Sequence, residues 1–266
     1  MNETMTGLMK PLVVSAIFVI LLFALMPSVI PATSAYQSSS PSSVVYTGAF
    51  AGWGVQNKHL GSITGITAYW IQPVVKCDSS SHVTQGVNFG LGLYNATPPN
   101  NPYKIHASEE TAAICKKGSD TPVYEALYTI LPNSARLISS ITVHPDDAFE
   151  GSIFLSSGNV TFKLEDVTTN QTFTASEKAT GLDPSLTACS ATYVNMLSPG
   201  GPPKFQRAIM TCYPTIDGKT QPIGMFTSAP NVLYKFVNTH HGVVDIVPSG
   251  LSSDKARFVF MWKSSG

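Results

Sequence analysis

The chain has 266 residues, of which 43% are hydrophobic and 12% charged, and its sixteen basic residues balance sixteen acidic ones. The basic residues form no cluster, which excludes nucleic acid as a partner, because such a partner needs a positive footprint. With so few carboxylates, little net charge builds up when they protonate, so the composition permits an acidic medium.

No charge occurs between Lys10 and Lys58. A lysine before the apolar run Leu12–Ile30, followed by the small residues of Pro31–Ala35, matches a secretory signal cut after Ala35. A run of about 18 apolar residues is also long enough to stay as a membrane anchor, although Pro27 and Pro31 interrupt it. Residues 36–43 form a Ser/Pro-rich tether, too polar to pack. Residues 44–266 form one domain, since no second linker of that composition follows. The chain is therefore expected outside the cell or on its surface, touching a membrane only through the N-terminal segment.

In chain order, short runs rich in Val, Ile, Thr, Phe and Tyr predict strands at Ile66–Ile71, Val87–Leu93, Val123–Ile130, Leu137–Val143, Ser152–Leu155 and Val160–Leu164, with further strands at Ala191–Met196, Val243–Val247 and Arg257–Trp262. In Asn159–Asp166, Val160, Phe162 and Leu164 alternate with Thr161, Lys163 and Glu165, giving one buried and one wet face. Thr168–Gln171 is a turn and Thr172–Thr174 resumes a strand, making a hairpin. The last strand buries Phe258, Phe260 and Trp262. No amphipathic helix stands out, so the fold class is all-β, an antiparallel double-sheet sandwich of the lectin-like jelly-roll kind.

Four cysteines, Cys77, Cys115, Cys189 and Cys212, are widely spaced with no C-x-x-C pair, so zinc ligation is not expected and two disulfides are. Of the three connectivities, Cys77–Cys115 with Cys189–Cys212 is favoured. Asn95, Asn159 and Asn170 open N-x-T acceptors for glycosylation. His240 and His241 are adjacent and would point to opposite faces of a strand, His59, His82 and His144 are isolated, and no G-x-S-x-G elbow is present. No metal and no cofactor is expected. Asp146 and Asp147 follow Pro145 in a turn, and Trp53, Tyr69, Trp70 and Trp262 read as core aromatics.

Ala49-Phe-Ala-Gly-Trp53, Gly65-Ile-Thr-Ala-Tyr-Trp-Ile-Gln-Pro73, Asn88-Phe-Gly-Leu-Gly-Leu93, Ala126-Leu-Tyr-Thr-Ile-Leu-Pro132, Leu164-Glu-Asp-Val-Thr-Thr-Asn170 and Ser249–Trp262 together resemble, in order, the N-W-A-G-Y, G-x-W-x-V-P, W-V-G-I-D-G, A-W-Y-E-W-Y-P, L-x-D-x-T-T-G and C-terminal elements of the glutamic peptidases, the eqolisins. The resemblance implies a double antiparallel sandwich and acid-acting endopeptidase chemistry, in which a Gln of a Q-x-G strand and a Glu of an S-A-E-W strand hold a water between them. The Glu is a general base and the Gln amide stabilises the oxyanion.

At those positions the sequence departs from the family. Ser190-Ala-Thr-Tyr-Val-Asn195 places Thr192 where the Glu belongs. His106 stands at the Gln position, or Ser108 if Cys115 anchors the alignment. The Asp of the I-D-G element is Gly92, and the Glu of the Y-E-W-Y element is Thr129. Glu125 shares a strand face with Thr129 but lies roughly 13 Å away. Glu110 is the candidate substitute acid, as an acid–base pair with His106, while the simpler expectation is that Glu109 and Glu110 sit in a solvated loop.

The expected function is thus an exported eqolisin-like sandwich that has lost the family dyad and holds a polypeptide or glycan ligand in a concave groove. The alternatives are an acid endopeptidase with relocated catalytic groups and a surface subunit assembling through strand edges.

Overall fold

The computed structural model describes residues 41–47, 50–57, 59, 61–95, 106–194, 201–227, 230–237 and 244–263. The signal or anchor segment, most of the tether, and His240 and His241 lie outside them. The described residues belong to a unit spanning Tyr36–Gly266.

The described chain forms strands almost throughout, beginning with β1 (Ser43–Thr47), β2 (Phe50–Gln56), β3 (Ile63–Ile71), β4 (Val75–Lys76), β5 (Gln85–Tyr94) and β6 (His106–Cys115). Next come β7 (Val123–Ile130), β8 (Arg136–Leu137), β9 (Ala148–Ser156), β10 (Asn159–Asp166), β11 (Gln171–Lys178) and β12 (Leu186–Val194). The last six are β13 (Lys204–Phe205), β14 (Ala208–Ile216), β15 (Lys219–Thr220), β16 (Asn231–Val237), β17 (Val244–Pro248) and β18 (Arg257–Trp262). The only described helix is a single 3-10 turn, Ile223–Met225.

Hydrogen bonding runs through the order β11-β10-β9-β3-β14-β18-β17-β16-β2-β12-β5-β6-β7-β8. The two halves of this path pack as a sandwich. Trp70 Nε1 on β3 donates to Thr111 Oγ1 on β6 at 2.7 Å, and Phe89 on β5 meets Phe260 on β18 at 5.8 Å between ring centroids. The core so enclosed includes Trp53, Phe89, Phe149, Phe162, Phe258 and Phe260, all buried.

Alternation explains these placements. Val160, Phe162 and Leu164 are fully buried in β10 while Lys163 is exposed, and the hairpin turn falls at residues 167–170. Tyr69 departs from the core reading: its neighbours Ala68 and Trp70 point inward, which turns Tyr69 outward at 42% exposure. Trp262 is half-buried. The predicted strand Leu137–Val143 is also corrected. Its strand ends at Leu137, and Ile138, Ile141 and Val143 are apolar because a loop buries them, not because they pair.

Two disulfides are present, Cys77–Cys115 and Cys189–Cys212. The second joins the inward faces of β12 and β14, so it staples the two halves of the sandwich. It spans 23 residues, a loop whose release costs roughly 3 kcal/mol in the chain-entropy account. Replacing both Cys189 and Cys212 with Ala should lower the unfolding temperature by about 10 °C in a thermal melt.

Candidate active site

The half-sandwich β16-β2-β12-β5-β6-β7 has a core face and an outer face, and the register fixes which side chains share each. In β5, Val87, Phe89, Leu91 and Leu93 point into the core. Their neighbours Gly86, Asn88, Gly90 and Gly92 therefore line the outer face. Close strand approach requires the absence of side chains at two positions there. A Cβ on Gly90 would stand 2.1 Å from the Glu109 carbonyl oxygen, and one on Gly52 2.1 Å from that of Cys189.

Along one side of this thin floor, Phe50, Tyr94, Leu186, Ala188, Val232 and Tyr234 form a second buried apolar cluster. Phe50 and Tyr234 meet at 4.5 Å between centroids. Burial pushes the Tyr234 phenol up to about 12, partly offset by the Gln56 amide that donates to its oxygen. It stays protonated at any working pH.

On the other side lies the polar cluster. Thr192 on β12 is the register partner of Asn88 on β5, and Glu110 on β6 is the partner of Gly90. With only hydrogen at position 90, the Glu110 side chain reaches diagonally across the floor. Its Oε2 accepts from Asn88 Nδ2 at 2.5 Å and from Thr192 Oγ1 at 3.4 Å. Asn88 is 8% exposed, and its Oδ1 is buried without a protein partner. A carboxylate, a carboxamide and a hydroxyl thus converge from three neighbouring strands.

Glu109 and Glu110 are not in a solvated loop. Both lie in β6, and alternation sends Glu110 to the outer face and Glu109 into the core, where it is fully buried. Its Oε2 accepts only the Ser152 N–H from β9 at 3.2 Å, and burial holds the carboxyl well above the usual carboxylate range.

His106 does not join the cluster. It pairs with Tyr94, six residues along β5 from Asn88, which places it roughly 20 Å from Thr192. Its ring packs on Tyr94 at 5.3 Å. Four residues also separate His106 from Glu110, roughly 13 Å along the strand, too far for an acid–base pair. Ser108, Thr129 and Glu125 all share the outer face with Glu110, Ser108 being buried opposite Gly92. The residue that faces Thr192 is Glu110, and Asn88 is the partner that sequence reasoning missed. Its signal was the alternation in Gly86-Val-Asn-Phe-Gly-Leu-Gly92, where one polar side chain stands alone among glycines.

Of the glycosylation acceptors, Asn159 and Asn170 are exposed at opposite ends of the β10–β11 hairpin. Asn95 is braced by its own amide, which donates to Gly181 O at 2.7 Å and accepts from Asp183 N at 2.8 Å. Among the described residues no group of acidic, histidine or cysteine side chains is placed to hold a metal.

No protein-family model and no curated protein sequence matches the chain. Solved structures do. A scytalido-glutamic peptidase bound to a transition-state analogue inhibitor is similar at a TM-score of 0.60 and 14% identity, over 81% of this chain and 98% of that one. SCP-B, a member of the eqolisin family of peptidases solved with the tripeptide Ala-Ile-His, is similar at 0.53 and 16%, over 81% of this chain and 100% of that one. The fold is that of the glutamic peptidases.

Proposed function

We propose that the chain is an exported endopeptidase acting in acid, in which the reactive carboxylate has moved from the strand of Thr192 to the strand of Glu110. The observation that carries this reading is the contact of Glu110 Oε2 with Asn88 Nδ2 at 2.5 Å and Thr192 Oγ1 at 3.4 Å. Glutamic-peptidase chemistry needs one carboxylate and one amide donor at a water site, and this cluster supplies both types, the carboxylate on β6 and the amide on β5.

In this mechanism the Glu110 carboxylate takes a proton from a water as its oxygen attacks the scissile carbonyl carbon. The second Asn88 N–H donates to the oxyanion, while the Thr192 hydroxyl keeps its hydrogen bond to Glu110. The C–N bond then breaks as protonated Glu110 returns its proton to the leaving amine. Export is supported by the N-terminal apolar segment and by two disulfides.

A non-catalytic, polypeptide-binding sandwich is the second reading. It is favoured by Thr192, which cannot accept a proton as a carboxylate does. One assay separates the two: intact protein incubated with an unfolded polypeptide from about pH 2 to about pH 7. Discrete cleavage in acid, lowered by about a thousandfold in Glu110→Gln at unchanged thermal stability, is expected. Absence of cleavage by the unaltered protein across this range would leave the binding reading, and cleavage indifferent to Glu110→Gln would place the chemistry elsewhere.

A further inference from the structure

At the end of the sandwich where β13, β14, β17 and β18 meet lies an open cavity of about 440 Å³, lined by Phe205, Arg207, Ser249, Val259, Met261 and Trp262. It is separate from the Glu110 cluster, and nothing in the proposed hydrolysis uses it. Four of its six lining side chains are apolar. Met261 is 37% exposed, and Trp262 is only half-buried although Trp53 and Trp70 are buried in the core.

The exposed charged groups around it are basic. The exposed Arg207 lines it, and the Lys204 Nζ stands 5.6 Å from the centroid of the Trp262 ring. Lys263 follows directly in the chain, and Lys76 is the register partner of Lys204. Neither Lys204 nor Lys263 forms a salt bridge among the described residues. The acid next in register to Lys263, Asp245, is fully buried.

An apolar cavity rimmed by cations complements an anion with an apolar body. A planar guanidinium matches a carboxylate in two parallel hydrogen bonds, and a half-open wall of Met and Trp covers a side chain of Leu or Phe size. A long acyl chain would leave most of its methylenes in water here. We infer that this cavity binds the free carboxyl end of a peptide ending in an apolar residue, with Arg207 and Lys204 on the carboxylate and Met261 and Trp262 on the side chain.

The test uses N-acetyl-leucine, its uncharged analogue N-acetyl-leucinamide, and decanoate, titrated into the intact protein. Binding is read by calorimetry and by the fluorescence of Trp262, with Trp262→Phe identifying which tryptophan responds. Saturable binding of N-acetyl-leucine is expected, about tenfold weaker for the amide and about tenfold weaker in Arg207→Gln. Equal binding of acid and amide, unchanged affinity in Arg207→Gln, or no saturable heat with N-acetyl-leucine would overturn the inference, as would tighter binding of decanoate. Because Arg207 is exposed, its substitution leaves the core intact. None of these readouts depends on peptide cleavage, so the site can fail while the proposed peptidase stands, and the reverse.

Discussion

A double variant, Glu110→Gln with Thr192→Glu, should recover at least about tenfold of the proteolysis that Glu110→Gln alone loses. The loss in the single variant is set by removing the only carboxylate in the cluster, about a thousandfold or roughly 4 kcal/mol in the transition state. The double variant puts a carboxylate back on β12 and an amide on β6, which is the arrangement the glutamic-peptidase resemblance implies. Both side chains stay on the outer face, where Thr192 and Glu110 are half-buried, so neither change has to be absorbed by the core. The informative quantity is kcat/KM for one peptide across the three proteins. His106→Gln with Thr192→Glu is the control. About 20 Å separates those two positions, so it should regain nothing beyond Thr192→Glu alone. Equal recovery by both doubles would refute the assignment of Glu110 as the residue facing Thr192.

Much of this architecture can be read from period-two alternation. Val160, Phe162 and Leu164 mark the buried face of β10, and Arg257–Trp262 is found as a strand at its predicted bounds. What alternation alone cannot supply is which strands lie side by side. The pairing of Thr192 with Asn88, and the diagonal reach of Glu110 over Gly90, depend on contacts between strands far apart in sequence. Matching short motifs put His106 or Ser108 opposite Thr192, because a shift of two or four residues along a strand keeps the same face and leaves the pattern unchanged. The two adjacent glutamates misled for a related reason. A charged pair reads as solvated, whereas in a strand one of two neighbours must turn inward, and here Glu109 does. Tyr69 shows the converse, an aromatic residue that alternation directs outward.

Glu109→Gln should raise the unfolding temperature at pH 7 and change it little near pH 4. In the native protein the Glu109 carboxyl sits between Leu91 and Tyr128 in register, on the core face. One oxygen accepts the Ser152 N–H and the other has no hydrogen-bond partner. Burial disfavours the ionised form, and the Ser152 N–H only partly offsets this, so the folded carboxyl binds its proton well above the ordinary value of 4.5. Below that value the folded and unfolded states are both protonated and no penalty exists. As pH rises past it, the unfolded chain releases a proton that the native chain still holds, so stability falls with pH. Tyr128 faces this group from β7, and its hydroxyl is turned toward Arg136 and Glu177. Glutamine has the same shape without the charge. Relieving a poorly satisfied buried group of this kind is worth about 1–3 kcal/mol, or roughly 3–10 °C in a chain of this size. Thermal melts of both proteins across pH would check it, and a gain that is constant with pH would contradict the titration of Glu109. The same variant separates stability from chemistry in the proposed peptidase. If activity fades toward neutral pH because the fold loosens, Glu109→Gln extends it upward; if it fades at the Glu110 cluster itself, the profile stays where it was.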